Sequence, residues 1–173
     1  NTTLTGHVPS SDMGAAIVAD ATAKLPNSKV VDQMQIARGE PAGFQQATAF
    51  ALEQLPRFSA GNVSLSDSDL TVRGTALDVP AYDAAKAAVA GDMPAGFALK
   101  EEKIVPATVS PYQWSADYDG KTVKLNGFVP DNASREVMLS EAKAKLPGAN
   151  IVDNMQIAQG APADFNASTS LAI

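Results

Sequence analysis

Apolar and polar residues alternate through Val63 and Leu65, then through Leu70 and Val72, with Ser66-Asp67-Ser68-Asp69 between the two runs. The same alternation passes through Trp114, Ala116 and Tyr118, then Asp119-Gly120, then Val123 and Leu125. A period of two broken by Asp-Gly or a Ser/Asp cluster predicts a β-hairpin. Elsewhere the period lengthens to four. Ile17, Ala21 and Leu25 form one such stripe and Met138, Ala142 and Leu146 another, each predicting a helix with a single apolar face. Phe44, Ala47, Ala51 and Leu55 predict a further helix over 44–55, closed by Pro56. The stretches FALKEEKIV at 97–105 and NIVDNMQIA at 150–158 predict strands that follow helices.

These elements recur in a fixed order. Residues 1–52 slide onto 122–173 without a gap, an offset of 121, with identities that include Leu4/Leu125, Gly6/Gly127, Pro26/Pro147, Asp32/Asp153, Gly39/Gly160 and Phe44/Phe165. A more diverged copy lies between. Gly74 is followed twenty residues later by Pro94, as Gly6 is by Pro26 and Gly127 by Pro147, and thirty residues after each glycine stands Ile36, Ile104 or Ile157. Four residues after each glycine stands Ser10, Asp78 or Asp131, whose side chains can accept from free N–H groups at a helix start. The pairs Leu25-Pro26, Met93-Pro94 and Leu146-Pro147 end each helix, because a residue before proline is pushed out of the α region. The three glycines are therefore expected in equivalent places, each in the second strand of its module with a helix after it.

The expected fold class is α+β: tandem small modules, each a β-hairpin, a helix and a third strand, forming a mixed sheet with a helix on one face. The expected domains are module 1 at 1–43 with its first strand missing, module 2 at 44–107 with an extra leading helix, module 3 at 108–163, and the start of a further truncated module at 164–173. Module 3 opens with the strand YQWSADY at 112–118, whereas module 1 begins at Asn1 already in its second strand. The chain thus reads as cut from a longer array, and a bare strand edge in module 1 is a template for an added strand. It is expected to be completed from outside residues 1–43, by a neighbouring chain or by a segment such as Thr169–Ile173 adopting strand.

The string TVKLNGFVPDNASREVMLSEAKAKLPGANIVDNMQI at 122–157 resembles the BON domain of bacterial envelope proteins. It is echoed by TTLTGHVPSSDMGAAIVADATAKLPNSKVVDQMQI at 2–36 and by LTVRGTALDVPAYDAAKAAVAGDMPAGFALKEEKI at 70–104. Tandem modules of this kind resemble the periplasmic region of OmpA/MotB-type proteins. The resemblance implies a periplasmic, outer-membrane-associated protein that binds envelope components or protein and has no catalytic role. The peptidoglycan-binding domain usual in such proteins is not visible in this sequence.

Charge and residue content narrow the chemistry. The net charge of −6 and the lack of a Lys/Arg cluster disfavour a nucleic-acid partner. No apolar run is long enough to predict a transmembrane segment. With no cysteine and only His7, neither a thiolate nucleophile, a histidine-based triad nor a multi-histidine metal site can be assembled within one chain. Asp117-x-Asp119-Gly120 matches the middle of a calcium loop, but Ser115 and Asn126 stand where its end ligands belong, so it reads as a hairpin turn. No catalytic, cofactor or metal residues are therefore assigned.

Four residues remain as binding candidates. Asp32 and Asp153 place an acid inside an apolar strand, where copy two has Lys100; each reads as an edge position that discourages strand pairing, and a shared cation site is the alternative. Tyr112 and Trp114, with Tyr118, share strand parity with Ala116 and read as core, or alternatively as an aromatic platform. The function expected is a spacer and interaction surface. The alternatives are a ring- or filament-building module and a small-ligand or cation-binding module.

Overall fold

The structure, a computed structural model, describes residues 1–172. It is α+β, with three small sheets and five helices. The chain forms two compact units, Asn1–Val105 and Pro106–Ile173. The first unit contains β1 (Thr2–Val8), α1 (Ser11–Lys24), β2 (Val30–Ile36), α2 (Phe44–Gln54), β3 (Phe58–Ser66), β4 (Asp69–Ala76), α3 (Val79–Gly91) and β5 (Ala98–Val105). The second contains β6 (Trp114–Tyr118), β7 (Thr122–Val129), α4 (Asn132–Lys145), β8 (Asn150–Ile157) and α5 (Phe165–Ala172). Strand β6 is two residues shorter than the predicted 112–118, and Pro56 lies within a 3-10 turn at Leu55–Arg57 that follows α2.

Strands β3-β4-β5 and β6-β7-β8 form mixed sheets: the hairpin is antiparallel and the strand after the helix returns parallel to the middle one. Strands β1 and β2 form a two-stranded parallel sheet that has no outer strand. Each of Gly6, Gly74 and Gly127 lies in the strand that pairs parallel with the one after the helix. The helix starts follow their side chains. Ser10, Asp78 and Asp131 accept from the N–H of Met13, Ala81 and Ser134 at 3.2, 2.8 and 2.7 Å. Each such cap contributes about 1 kcal/mol by satisfying an otherwise free donor.

The stripe residues Ile17, Ala21, Met138 and Ala142 are buried as expected, under Val8 in the first sheet and Val123, Leu125 and Val129 in the third. Helix α2 departs from its single predicted face. Leu52, Phe44 and Leu55 pack with Val8, Ile17 and Ala21, while Phe50 and Ala51 pack with Phe58, Leu70 and Val72. One helix thus serves two cores, so its apolar positions run round it instead of forming a stripe.

Two sequence equivalences are corrected by the strand register. Gly6 pairs with Met34 and Gly127 with Met155, but Gly74 pairs with Ile104. Ile104 therefore corresponds to the two methionines and not to Ile36 and Ile157. Relative to β2 on β1, β5 is shifted two residues along β4: one residue comes before Leu99 and one at the register irregularity between Leu70 and Thr71, which equal counting from the glycine cannot detect. The segment proposed to form a strand near the C-terminus is helical through residue 172, and its last residue, Ile173, lies outside the described residues.

Candidate functional site: a sheet edge without its outer strand

Among the described residues, strand β1 has β2 on one side and no strand on the other. The N–H of Thr2 donates to the carbonyl of Lys29 at 2.9 Å, so the backbone groups of Thr2, Leu4 and Gly6 face β2. Alternation along a strand turns those of Thr3, Thr5 and His7 towards the open edge. In the third sheet the corresponding groups are in use: the N–H of Phe128, the counterpart of His7, donates to the carbonyl of Gln113 at 2.8 Å.

A cleft of about 810 Å³ runs along this edge. It is lined by Thr2–Val8 of β1 and by Phe58–Leu65 of β3, with Ile17, Met34, Phe44 and Leu52 contributing apolar wall. His7 and Lys24 are its ionisable side chains, and Lys24 is bound to Asp20 at 2.8 Å. No acid lines it, although the chain is acidic.

The aromatic candidates lie in the second unit. Trp114 is half-buried in the β6-β7-β8 core and its Nε1 donates to Sδ of Met155 at 3.3 Å. Tyr112 precedes β6, with its ring 5.1 Å from Phe165 edge-on and 5.9 Å from Phe128. Its hydroxyl donates to the carbonyl of Ala158 at 3.3 Å. Burial, reinforced by the negative charge of Asp131, pushes the Tyr112 phenol up to about 12. Tyr118, of the same parity, is 54% exposed at the end of the strand. The three therefore do not make one platform: two pack inward and one is solvated.

The acid candidates occupy edge strands β2 and β8, beside Leu4 and Leu125 respectively. Asp153 Oδ2 accepts from Nε of Arg135 in α4 at 2.6 Å, and Oδ1 accepts from the N–H of Met155 at 3.0 Å. Asp32 accepts from the N–H of Met34 at 2.9 Å, but Gly14 stands where α4 has Arg135, and among the described residues no cation pairs with it. The register also replaces Lys100 as the middle counterpart. Glu102 pairs with Val72, as Asp32 does with Leu4, and it binds Lys86 of α3 at 2.6 Å. Lys100 instead reaches Asp69 at 3.3 Å. An acid next to the central strand is thus present in all three sheets, tied to the covering helix in two of them.

Asp119 belongs to a turn. Its Oδ1 accepts from the N–H groups of Thr122 and Lys121 at 2.7 and 2.9 Å, which lowers its carboxyl below the usual range. Among the described residues no group of three or more His, Cys, Asp or Glu side chains is placed to hold a metal ion. Met34, Thr3, Thr5, Glu102 and Gly14 were not singled out from the sequence. Met34 and Gly14 stand opposite Met155 and Arg135 at the 121-residue offset, so aligning side-chain roles and not only identities would have found them.

Residues 118–159 match the BON-like domain family. This stretch spans the end of β6, β7, α4 and β8, the strand-helix-strand portion of the second unit. No curated protein and no solved structure matches the chain. No helix among the described residues is long and apolar enough to cross a membrane.

Proposed function

We propose that this chain is a non-enzymatic segment of a bacterial envelope protein, in which tandem BON-like modules act as spacer and interaction surface. The observation that carries this reading is the BON-like match over 118–159, on a strand-helix-strand unit whose order recurs in the first and middle sheets. The periplasm, with outer-membrane association in an OmpA-like protein, is the compartment proposed. Cell fractionation of the full-length protein in its own host tests this: recovery with the periplasm and outer membrane is expected, and recovery with the cytosol overturns it.

Self-assembly is the competing reading, in which the small helix-on-sheet repeats pack side by side into rings or filaments. Light scattering over a concentration series separates the two. A mass that rises with concentration favours assembly, and a constant monomer mass favours the spacer and interaction surface.

A further inference from the structure

We propose that the free edge of β5 is a self-association surface. A second copy of this chain pairs there, antiparallel, through its own β5, and joins two three-stranded sheets into one continuous sheet about a two-fold axis. This goes beyond the spacer reading and does not rest on it.

The strand after the helix in each sheet (β2, β5 or β8) has a neighbouring strand on one side only among the described residues. In β2 and β8 the other side is closed by a side chain. The N–H groups of Asn150 and Ala158 donate to the β7-side carbonyls of Lys121 and Val129, so alternation turns the N–H of Asp153 and Met155 away from the sheet. An added strand would need the Met155 donor, and the carboxylate of Asp153 already holds it at 3.0 Å. Asp32 holds the N–H of Met34 in the same way at 2.9 Å. The register puts Glu102 and Ile104 at the same places in β5, beside Val72 and Gly74. With one methylene more, Glu102 turns both carboxylate oxygens to Lys86 of α3, at 2.6 and 2.8 Å. Among the described residues no side chain accepts from the Ile104 N–H, so β5 keeps an outward donor that its two counterparts have engaged.

Side chains select the partner and the register. Glu101 and Lys103 pair with Thr71 and Arg73 on the face of the sheet opposite to the core. Glu101 accepts from Nε of Arg73 at 2.9 Å, while Lys103 is exposed and forms no ion pair among the described residues. With Glu102 on the two-fold axis, Glu101 of each copy faces Lys103 of the other, which makes two opposite-charge pairs on the outer face. Moving the axis by one residue, to Glu101 or to Lys103, sets that residue directly against its own copy and the like charges repel. On the inner face the two Glu102 carboxylates meet at the axis, each already bound to its own Lys86. A patch that is complementary to itself closes at two copies.

Light scattering of the whole chain over a concentration series reads the mass, and amide hydrogen exchange reads the surface. The mass is expected to rise from one chain to two and stop there, which separates this pairing from the higher masses of rings and filaments. Over the same range exchange at Ile104 is expected to slow by on the order of tenfold, with Met34 and Met155 unchanged. Lys103→Glu alone and Glu101→Lys alone each set like charges face to face, and each is expected to remain monomeric. Mixed in equal amounts they are expected to form the dimer, because every outer pair is then opposite in sign. Glu102→Asp, which gives β5 the cap found on β2 and β8, is expected to weaken the dimer while circular dichroism is retained. If Glu101→Lys fails to fold for want of its Arg73 pair, Lys103→Glu and Glu102→Asp remain the test.

A mass that stays at one chain up to millimolar concentration overturns the proposal. So does a dimer undiminished in any of the three folded variants, a mixture that stays monomeric, or slowed exchange at Met34 or Met155 in place of Ile104. None of these outcomes bears on the compartment, which cell fractionation reads separately.

Discussion

Leu125 is 0% exposed, while Leu4, at the corresponding place 121 residues earlier, is only half-buried. The same holds for Met155 and Met34. The helices are not the cause, since Ala21 and Ala142 are both fully buried. What separates the two regions is one strand. In the third sheet β6 carries Trp114 and Ala116 onto the core formed by β7, β8 and α4; in the first nothing occupies that edge. A small sheet with one strand fewer loses cover for apolar side chains and leaves backbone groups unpaired along the edge, and both losses fall on the same residues. A recurring sequence is therefore covered to different depths in the two sheets.

The largest test of this contrast is truncation of the two leucines. Leu125→Ala is expected to cost about 2–5 kcal/mol, as for other fully buried leucines, and Leu4→Ala about half as much or less. Equal losses in thermal or denaturant unfolding would show that the first sheet is as well covered as the third. The glycines give a similar test. Gly6→Ala carries only the strain of its positive φ, about 1–3 kcal/mol, whereas Gly127→Ala adds a collision with the β6 backbone and is expected to exceed it.

A smaller effect is expected at the acids. Arg135→Ala should cost about 0.5–1 kcal/mol through loss of the partly exposed pair with Asp153. In the first sheet the change runs the other way. A Cβ at Gly14 meets Val8 at an ordinary 3.4 Å, so Gly14→Ala should stabilise α1 by about 1 kcal/mol. Gly14→Arg should add a few tenths more by pairing with Asp32, an increment that disappears in high salt.

A further effect appears only at alkaline pH. The Tyr112 phenol is raised to about 12 in the folded state from an ordinary value near 10, so below pH ~10 both states keep the proton and nothing changes. Above it the unfolded chain ionises first, and stability falls as pH rises towards 12. Tyr112→Phe should flatten that decline, and a spectrophotometric titration should show one late-ionising phenol fewer.

The order of elements, the hairpin turns, the helix caps and the stripes at Ile17, Ala21, Met138 and Ala142 were legible in the chain because each depends on interactions within a few residues. Ser10, Asp78 and Asp131 illustrate this: a cap bond to a residue three positions on is a local fact that the sequence states directly. The inward packing of Tyr112 and Trp114 and the exposure of Tyr118 were not separable by parity alone, because solvation depends on how far the neighbouring elements extend.

Sequence alone determined which segments become strands and helices, because period, capping and turn chemistry act over short distances along the chain. Tertiary structure decided which residues became partners. It placed Glu102 instead of Lys100 beside the central strand, gave α2 to two cores at once, and aligned β1 with β3 along one cleft. Those outcomes depend on strand register and on contacts between elements distant in sequence, where a two-residue shift exchanges Lys100 for Glu102 and no local signal records the choice.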